Sequence, residues 1–175
     1  MSLAIGATAP PFTLPDTEAV PTTLLDGACP ATVVIFTCNH CPYALAWHDR
    51  LQTVARDYAA HGVRTLQVNA NDSSRYPRDS FEAMGARVSA GEFSGPYLHD
   101  ATQDVAREWE AGVTPEVYVI DADGRLAYRG APDADHGDES LKAGWLRQAL
   151  DDVLAGRPVN QPETRAVGCS IKWRP

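Results

Sequence analysis

A β-branched run, Thr32-Val33-Val34-Ile35-Phe36, passes directly into a helical pattern that continues to about Ala60, and a second such run, Val63 to Val68, follows. The first run has no polar residue but threonine, as expected of a strand covered on both faces. The helical stretch places Ala44, Trp47, Leu51, Val54, Ala55 and Tyr58 at three- and four-residue steps, giving one apolar face to lie on a sheet. Gly62 ends it. A strand–helix–strand unit of this length implies two parallel strands joined by a right-handed crossover. The chain is therefore expected to be an α/β protein built on that unit.

The junction itself carries chemistry. Phe36-Thr37-Cys38-Asn39-His40-Cys41-Pro42-Tyr43 sets two cysteines three apart where the strand becomes the helix. The first amides of a helix lack intrahelical partners and carry partial positive charge, so a thiolate there is stabilised and its pKa lowered. Cys38 is expected at the mouth of the helix and Cys41 in its first turn, close enough to close a disulfide. Pro42 is tolerated because an N–H in the first turn has no acceptor to lose. A structural zinc site would need about four ligands, usually as two paired motifs. Only one Cys-x-x-Cys is present, and His48, His61, His99 and His136 are scattered without ligand spacing, so no metal is expected. His40 and Asn39, between the cysteines, are candidate redox-tuning residues, since an imidazolium beside the helix terminus would stabilise the Cys38 thiolate.

The remaining pattern extends the sheet. Phe12-Thr13-Leu14 and Val20 to Leu25 read as short strands around a Pro15-Asp16 turn, and Cys29 as a loop cysteine. After the polar loop Asn69 to Arg78, Pro77 opens a helix expected over Asp79 to about Val88. Tyr97-Leu98 is a brief strand. Asp100 with Gln103 looks like a capping box for a helix carrying Val105, Ala106 and Trp109. Glu116 to Asp121 and Arg125 to Tyr128 are strands joined by Ala122-Asp123-Gly124, and a last helix is expected from about Glu139 to Leu154. Val167, Ile171 and Trp173 make the tail too apolar to float free. Residues 1–175 are thus expected to form a single domain, with 1–30 as an N-terminal extension and 159–175 as a tail docked on the body.

The junction, together with Tyr97-Leu98-His99-Asp100, Val113-Thr114-Pro115-Glu116 and Gly168-Cys169-Ser170-Ile171-Lys172-Trp173, resembles the thioredoxin-like superfamily, and within it a peroxiredoxin-like, thiol-specific-antioxidant-type branch. The resemblance spans nearly the whole chain. It implies a thioredoxin-like fold, a central mixed β-sheet flanked by helices with an N-terminal β-hairpin added. It implies further that Thr114-Pro115 is a cis X-Pro bond facing the dithiol and binding substrate, with the Thr114 backbone groups open to a substrate chain. Oxidising members of the superfamily also carry histidine at the position of His40. One departure stands out: thioredoxins have a buried aspartate six residues before the first cysteine, and this chain has Thr32.

The expected function is thiol–disulfide exchange with protein or small-molecule disulfides, Cys38 attacking and Cys41 resolving, with electrons passed to or from an external dithiol reductant or oxidant and no cofactor. The rival is a thiol peroxidase. Peroxiredoxins share a start like Ala9-Pro10-Pro11-Phe12-Thr13-Leu14, but their motif Pro-x-x-x-Thr-x-x-Cys is not matched: three residues before Cys38 stands Ile35, and three before Cys41 stands Cys38. A non-enzymatic thioredoxin-fold binding module fits an intact dithiol poorly. A net charge of −8 argues against nucleic acid or an anionic membrane as partner. Met1 to Pro10 has no basic or strongly apolar segment and no stretch is long enough to span a bilayer, so a cytoplasmic protein is expected, where disulfides are seldom structural staples.

Overall fold

The computed structural model describes residues 3–175; Met1 and Ser2, the start of the segment read for a targeting signal, lie outside the described residues. β1 (Thr13–Pro15) and β2 (Pro21–Thr23) form the antiparallel N-terminal hairpin, its turn closed by Asp16, whose carboxylate accepts the N–H groups of Glu18 and Val20. β3 (Ala31–Phe36) leads into α1 (Pro42–Ala59), which returns to β4 (Arg64–Asn69) parallel to β3. A single 3₁₀ turn, Pro77–Asp79, precedes α2 (Phe81–Ser89). β5 (Tyr97–His99), α3 (Asp104–Glu108), β6 (Val113–Thr114), β7 (Glu116–Asp121), β8 (Leu126–Gly130), α4 (Gly144–Leu154) and β9 (Cys169–Ser170) complete the order.

The main sheet runs β5-β4-β3-β7-β8, with β3 central, parallel to β4 and antiparallel to β7. Alternation along β3 sorts the core into two faces. Val33 and Ile35 meet Trp47, Leu51, Val54 and Tyr58 of α1 and Leu146 and Leu150 of α4. Val34 and Phe36 meet Trp109, Leu14 of the N-terminal hairpin, and Phe12 and Leu24 flanking it. Every apolar residue assigned to the α1 face from its spacing is buried. Trp47 is 1% exposed, and truncating a tryptophan so placed costs about 3–5 kcal/mol. The dithiol junction therefore leaves the most enclosed strand of the molecule and enters its longest helix.

Three element starts differ from the sequence reading, each for a polar reason. The second helix begins only at Phe81, because Ser80 is extended and its hydroxyl accepts the Ala83 N–H at 3.1 Å, making Ser80 the cap. The Asp100/Gln103 capping box does not form. Gln103 is left-handed (φ 67°), and its amide donates to the carbonyls of Ala70 and Lys172 instead. The last helix starts at Gly144, five residues late. Ala143 is left-handed (φ 57°), and its N–H goes to the buried Asp133 carboxylate, which also holds Trp47 and Arg50 of α1.

Candidate active site

The Thr37 N–H bonds the Val68 carbonyl at 2.8 Å, extending the β3–β4 pairing one residue before the chain turns. Cys38 and Cys41 are both free thiols and are 2% and 0% exposed. Cys41 is the N-cap of α1 and Pro42 its first residue. Opposite them stands Thr114, whose bond to Pro115 is cis. The Cys38 sulfur is 3.5 Å from the Thr114 hydroxyl, and the Cys41 sulfur 3.2 Å from the Thr114 carbonyl oxygen. The structure thus brings Cys38, Cys41 and the Thr114-Pro115 segment together.

The interaction of the two thiols with each other is the main reason they titrate apart. Cys41 is pushed down to about 4, while Cys38 is raised far above the ordinary thiol range, with burial adding to the rise. The N–H of Ala44 and both the thiol and N–H of Cys169 favour an anion at Cys41; the negative charge of Asp79 opposes one at Cys38. An anionic Cys41 is nevertheless repelled by the adjacent Thr114 carbonyl. We therefore assign the lowered titration to the pair sharing one proton rather than to either sulfur. This replaces the expectation that the helix terminus activates Cys38 alone. Cys38 lies four residues ahead of Pro42, and its own proton is held by the neighbouring sulfur and by burial.

Asn39 and His40 both point into a buried polar network centred on Asp79. Asp79 accepts the Asn39 backbone N–H at 2.6 Å and the side-chain amides of Asn69 and Asn71 at 3.1 and 3.0 Å. His40 Nδ1 pairs with the second Asp79 oxygen, and its ring stacks on Tyr76, centroids 5.6 Å apart. The Asn39 carbonyl oxygen accepts from Arg87 and from the Tyr97 hydroxyl, while its amide donates to the Arg78 carbonyl. Asn39 thus ties the junction to α2 and β5. His40 is neither free nor solvated: it stands between Cys38 and a buried carboxylate. Cys38, His40 and Asp79 bring donor atoms within 4.8 Å of one another. Asp79 already receives three N–H groups, so its oxygens are occupied by hydrogen bonds rather than left as an open ligand set.

The Thr114 backbone is not left open, as the resemblance implied. β9 pairs antiparallel with β6, placing Cys169 opposite Thr114. The Cys169 side chain packs against the Cys38–Cys41 cluster. Ile171 is buried and Trp173 packs on the core, but Val167 is 40% exposed, contrary to its expected docking. Cys29 lies in a loop away from these groups, its thiol 3.7 Å from the Asp26 carbonyl. The sequence reading missed Tyr76, in the polar loop, and Asp79, which ends the 3₁₀ turn where a helix start was expected. It noticed Cys169 without placing it.

The mixed sheet with β3 central, the helix leaving it at the dithiol and the cis-proline segment opposite define a thioredoxin-like fold. The AhpC/TSA family profile matches residues 5–129, and the chain belongs to that family. Among solved structures, a conserved protein of uncharacterised function from Geobacillus kaustophilus is 37% identical, with TM-score 0.93, covering 99% of this chain and 94% of its own. A hypothetical protein from Sinorhizobium meliloti is 36% identical with the same TM-score, 99% of this chain and 97% of its own covered. A candidate thioredoxin from Neisseria meningitidis shares the fold at 21% identity and TM-score 0.70, over 89% and 95%. Comparison with curated proteins finds no match. Fold and family make the chain a thioredoxin-fold redox protein. Among the described residues no helix is long and apolar enough to cross a membrane.

Proposed function

We propose that the protein is a thiol–disulfide oxidoreductase whose Cys38 and Cys41 cycle between dithiol and disulfide. The observation that carries this reading is the placement of two free thiols at the head of α1 against one residue, Thr114, with the Cys38 sulfur 3.5 Å from its hydroxyl and the Cys41 sulfur 3.2 Å from its carbonyl oxygen. Cys38, giving its proton to the shared pair, attacks a substrate disulfide and forms a mixed disulfide while one substrate thiolate leaves. Cys41 then attacks the Cys38 sulfur, forming the Cys38–Cys41 disulfide, and the second substrate thiolate leaves. The departing thiolates take up the protons lost by the two cysteines. His40, paired with Asp79, sits beside Cys38. An external dithiol returns the enzyme to its reduced state, and no cofactor takes part.

A second reading is favoured by the burial of both sulfurs together with the family match: reduction of a small hydroperoxide. The Cys38 thiolate would attack the terminal peroxide oxygen, breaking the O–O bond to give the sulfenic acid and an alcohol that takes up the thiol proton, and Cys41 would condense with the sulfenic acid to the same disulfide, releasing water. Insulin reduction by dithiothreitol and peroxide consumption, measured in parallel, separate the two. The exchange reading predicts faster insulin precipitation, lost in Cys38→Ser. Peroxide consumption without insulin reduction would replace it with the second reading, and inactivity in both assays would remove both.

A further inference from the structure

We propose that Cys169 is a third redox thiol of this site, taking the disulfide over from the buried pair and presenting it at the surface. The inference rests on the dithiol reading above. Cys169 packs against the small cluster formed by Cys38, Cys41 and Ala44, so three thiols meet at one point. The β6–β9 pairing sets the backbone of Cys169 directly across from Thr114, the residue that both active-site sulfurs touch. Cys169 is only half-buried, whereas Cys38 and Cys41 are enclosed, so an external dithiol meets Cys169 first.

The tail is built to sit at this point. Upstream it is bonded to β8: the Arg129 N–H reaches the Pro162 carbonyl, and the Thr164 N–H reaches the Arg129 carbonyl. Downstream, the Ile171 N–H bonds the Gly112 carbonyl, the Lys172 carbonyl accepts from Asp72, and Arg107 lies over the Trp173 ring. Between these anchors Gly168 passes so close to Thr114 that a Cβ there would lie 2.1 Å from the Thr114 carbonyl oxygen. A side chain at 168 is therefore incompatible with the seat that Cys169 occupies.

The step moves a disulfide without any net oxidation. The Cys169 thiolate attacks the Cys41 sulfur of the Cys38–Cys41 disulfide. The Cys41–Cys169 bond forms, the Cys38–Cys41 bond breaks, and Cys38 leaves as a thiolate that takes up the proton Cys169 lost. The external dithiol then attacks the Cys169 sulfur and is oxidised to its own disulfide, while Cys41 and Cys169 return to thiols. The timing suits the groups. In the reduced protein, burial first and then the hydrogen bond and charge of Cys41 hold the Cys169 thiol above its ordinary value. Once Cys41 is in a disulfide, its charge is gone, and the favourable field of Lys172 remains.

The Cys29→Ser/Cys38→Ser protein, oxidised with oxidised glutathione and digested with trypsin without reduction, should yield peptide 1–50 joined to peptide 166–172, a linkage that only Cys41 and Cys169 can make. Recovery of glutathione adducts alone would overturn the proposal. In the second arm, wild type and Cys169→Ser are oxidised in the same way, and the return of thiols on adding dithiothreitol is followed. Without the surface thiol, this return should slow by at least about tenfold, since exchange rates follow access to the attacked sulfur. Equal rates in the two proteins would overturn it. The second arm leaves the buried pair intact, so it decides the matter even if the double variant does not fold. A wild type that forms no Cys38–Cys41 disulfide would instead sink the dithiol reading beneath it, whereas a normal Cys38–Cys41 disulfide without the Cys169 linkage removes only the role of Cys169.

Discussion

The junction Phe36–Tyr43 and the tail from Glu163 to Trp173 bring sulfur to one point by opposite means. The junction is held by a fully buried central strand, by α1 and by the Asp79 network. The tail is held by a two-residue strand pairing, by bonds at Ile171 and Lys172 just beyond it, and by anchors on β8 several residues upstream. Local opening is governed by buried apolar contact and backbone pairing, so the tail is expected to open at far lower free energy than the junction. One site thus combines a pair of thiols on the deeply held junction with a third on the segment expected to open first. Access to the pair is then set by the tail, whereas the chemistry is set by the junction.

Breaking the tail's seat should give the largest effect. Gly168→Ala puts a methyl group against the Thr114 backbone, and a loss of one or two kcal/mol from tail docking raises the open population about 5- to 30-fold. Alkylation of Cys38 and Cys41 by iodoacetamide should accelerate by that factor while global stability changes little. An unchanged alkylation rate would mean that the tail does not limit access to the pair.

A second test sharpens the contrast at the junction. The first proton of the Cys38–Cys41 pair is held less tightly in the fold than in the unfolded chain, and the second more tightly. Below the free-thiol value of about 8.5 the unfolded state binds more protons, so the stability of the reduced protein rises with pH there; above that value the folded state binds more, and it falls. The oxidised protein has no such thiols, so the difference in Tm between reduced and oxidised forms should peak near that pH. A difference flat across pH 5 to 10 would remove the shared-proton account.

The smallest effect is expected at Cys29, in a loop touching neither region. Cys29→Ser should leave turnover unchanged and stability within about 0.5 kcal/mol by thermal unfolding.

The contrast between regions also explains what could be read from the sequence. The β3–α1–β4 unit was legible because its signals are local: β-branched runs, helical spacing of Trp47, Leu51 and Tyr58, and a cysteine pair at the boundary. Thr114 and Pro115 could be placed only through resemblance. Asp79 was not legible, because its role depends on Asn39, Asn69 and Asn71 converging on it from two distant segments. The position of Cys169 likewise arises from a pairing between residues more than fifty apart in sequence. The late start of α4 and the absent cap at Gln103 are tertiary overrides of good local patterns, by Asp133 and by the Ala70 and Lys172 carbonyls.

The central claim is that Cys38 and Cys41 are a two-electron redox pair. Its most direct test is to equilibrate the protein across a series of glutathione redox buffers, alkylate the remaining thiols and count them by mass spectrometry. The account predicts that two thiols disappear together in one two-electron transition, with Cys38 and Cys41 forming the first disulfide and Cys29 remaining alkylated throughout. Persistence of Cys38 and Cys41 as free thiols across the whole series, or their conversion only to separate glutathione adducts, would contradict it.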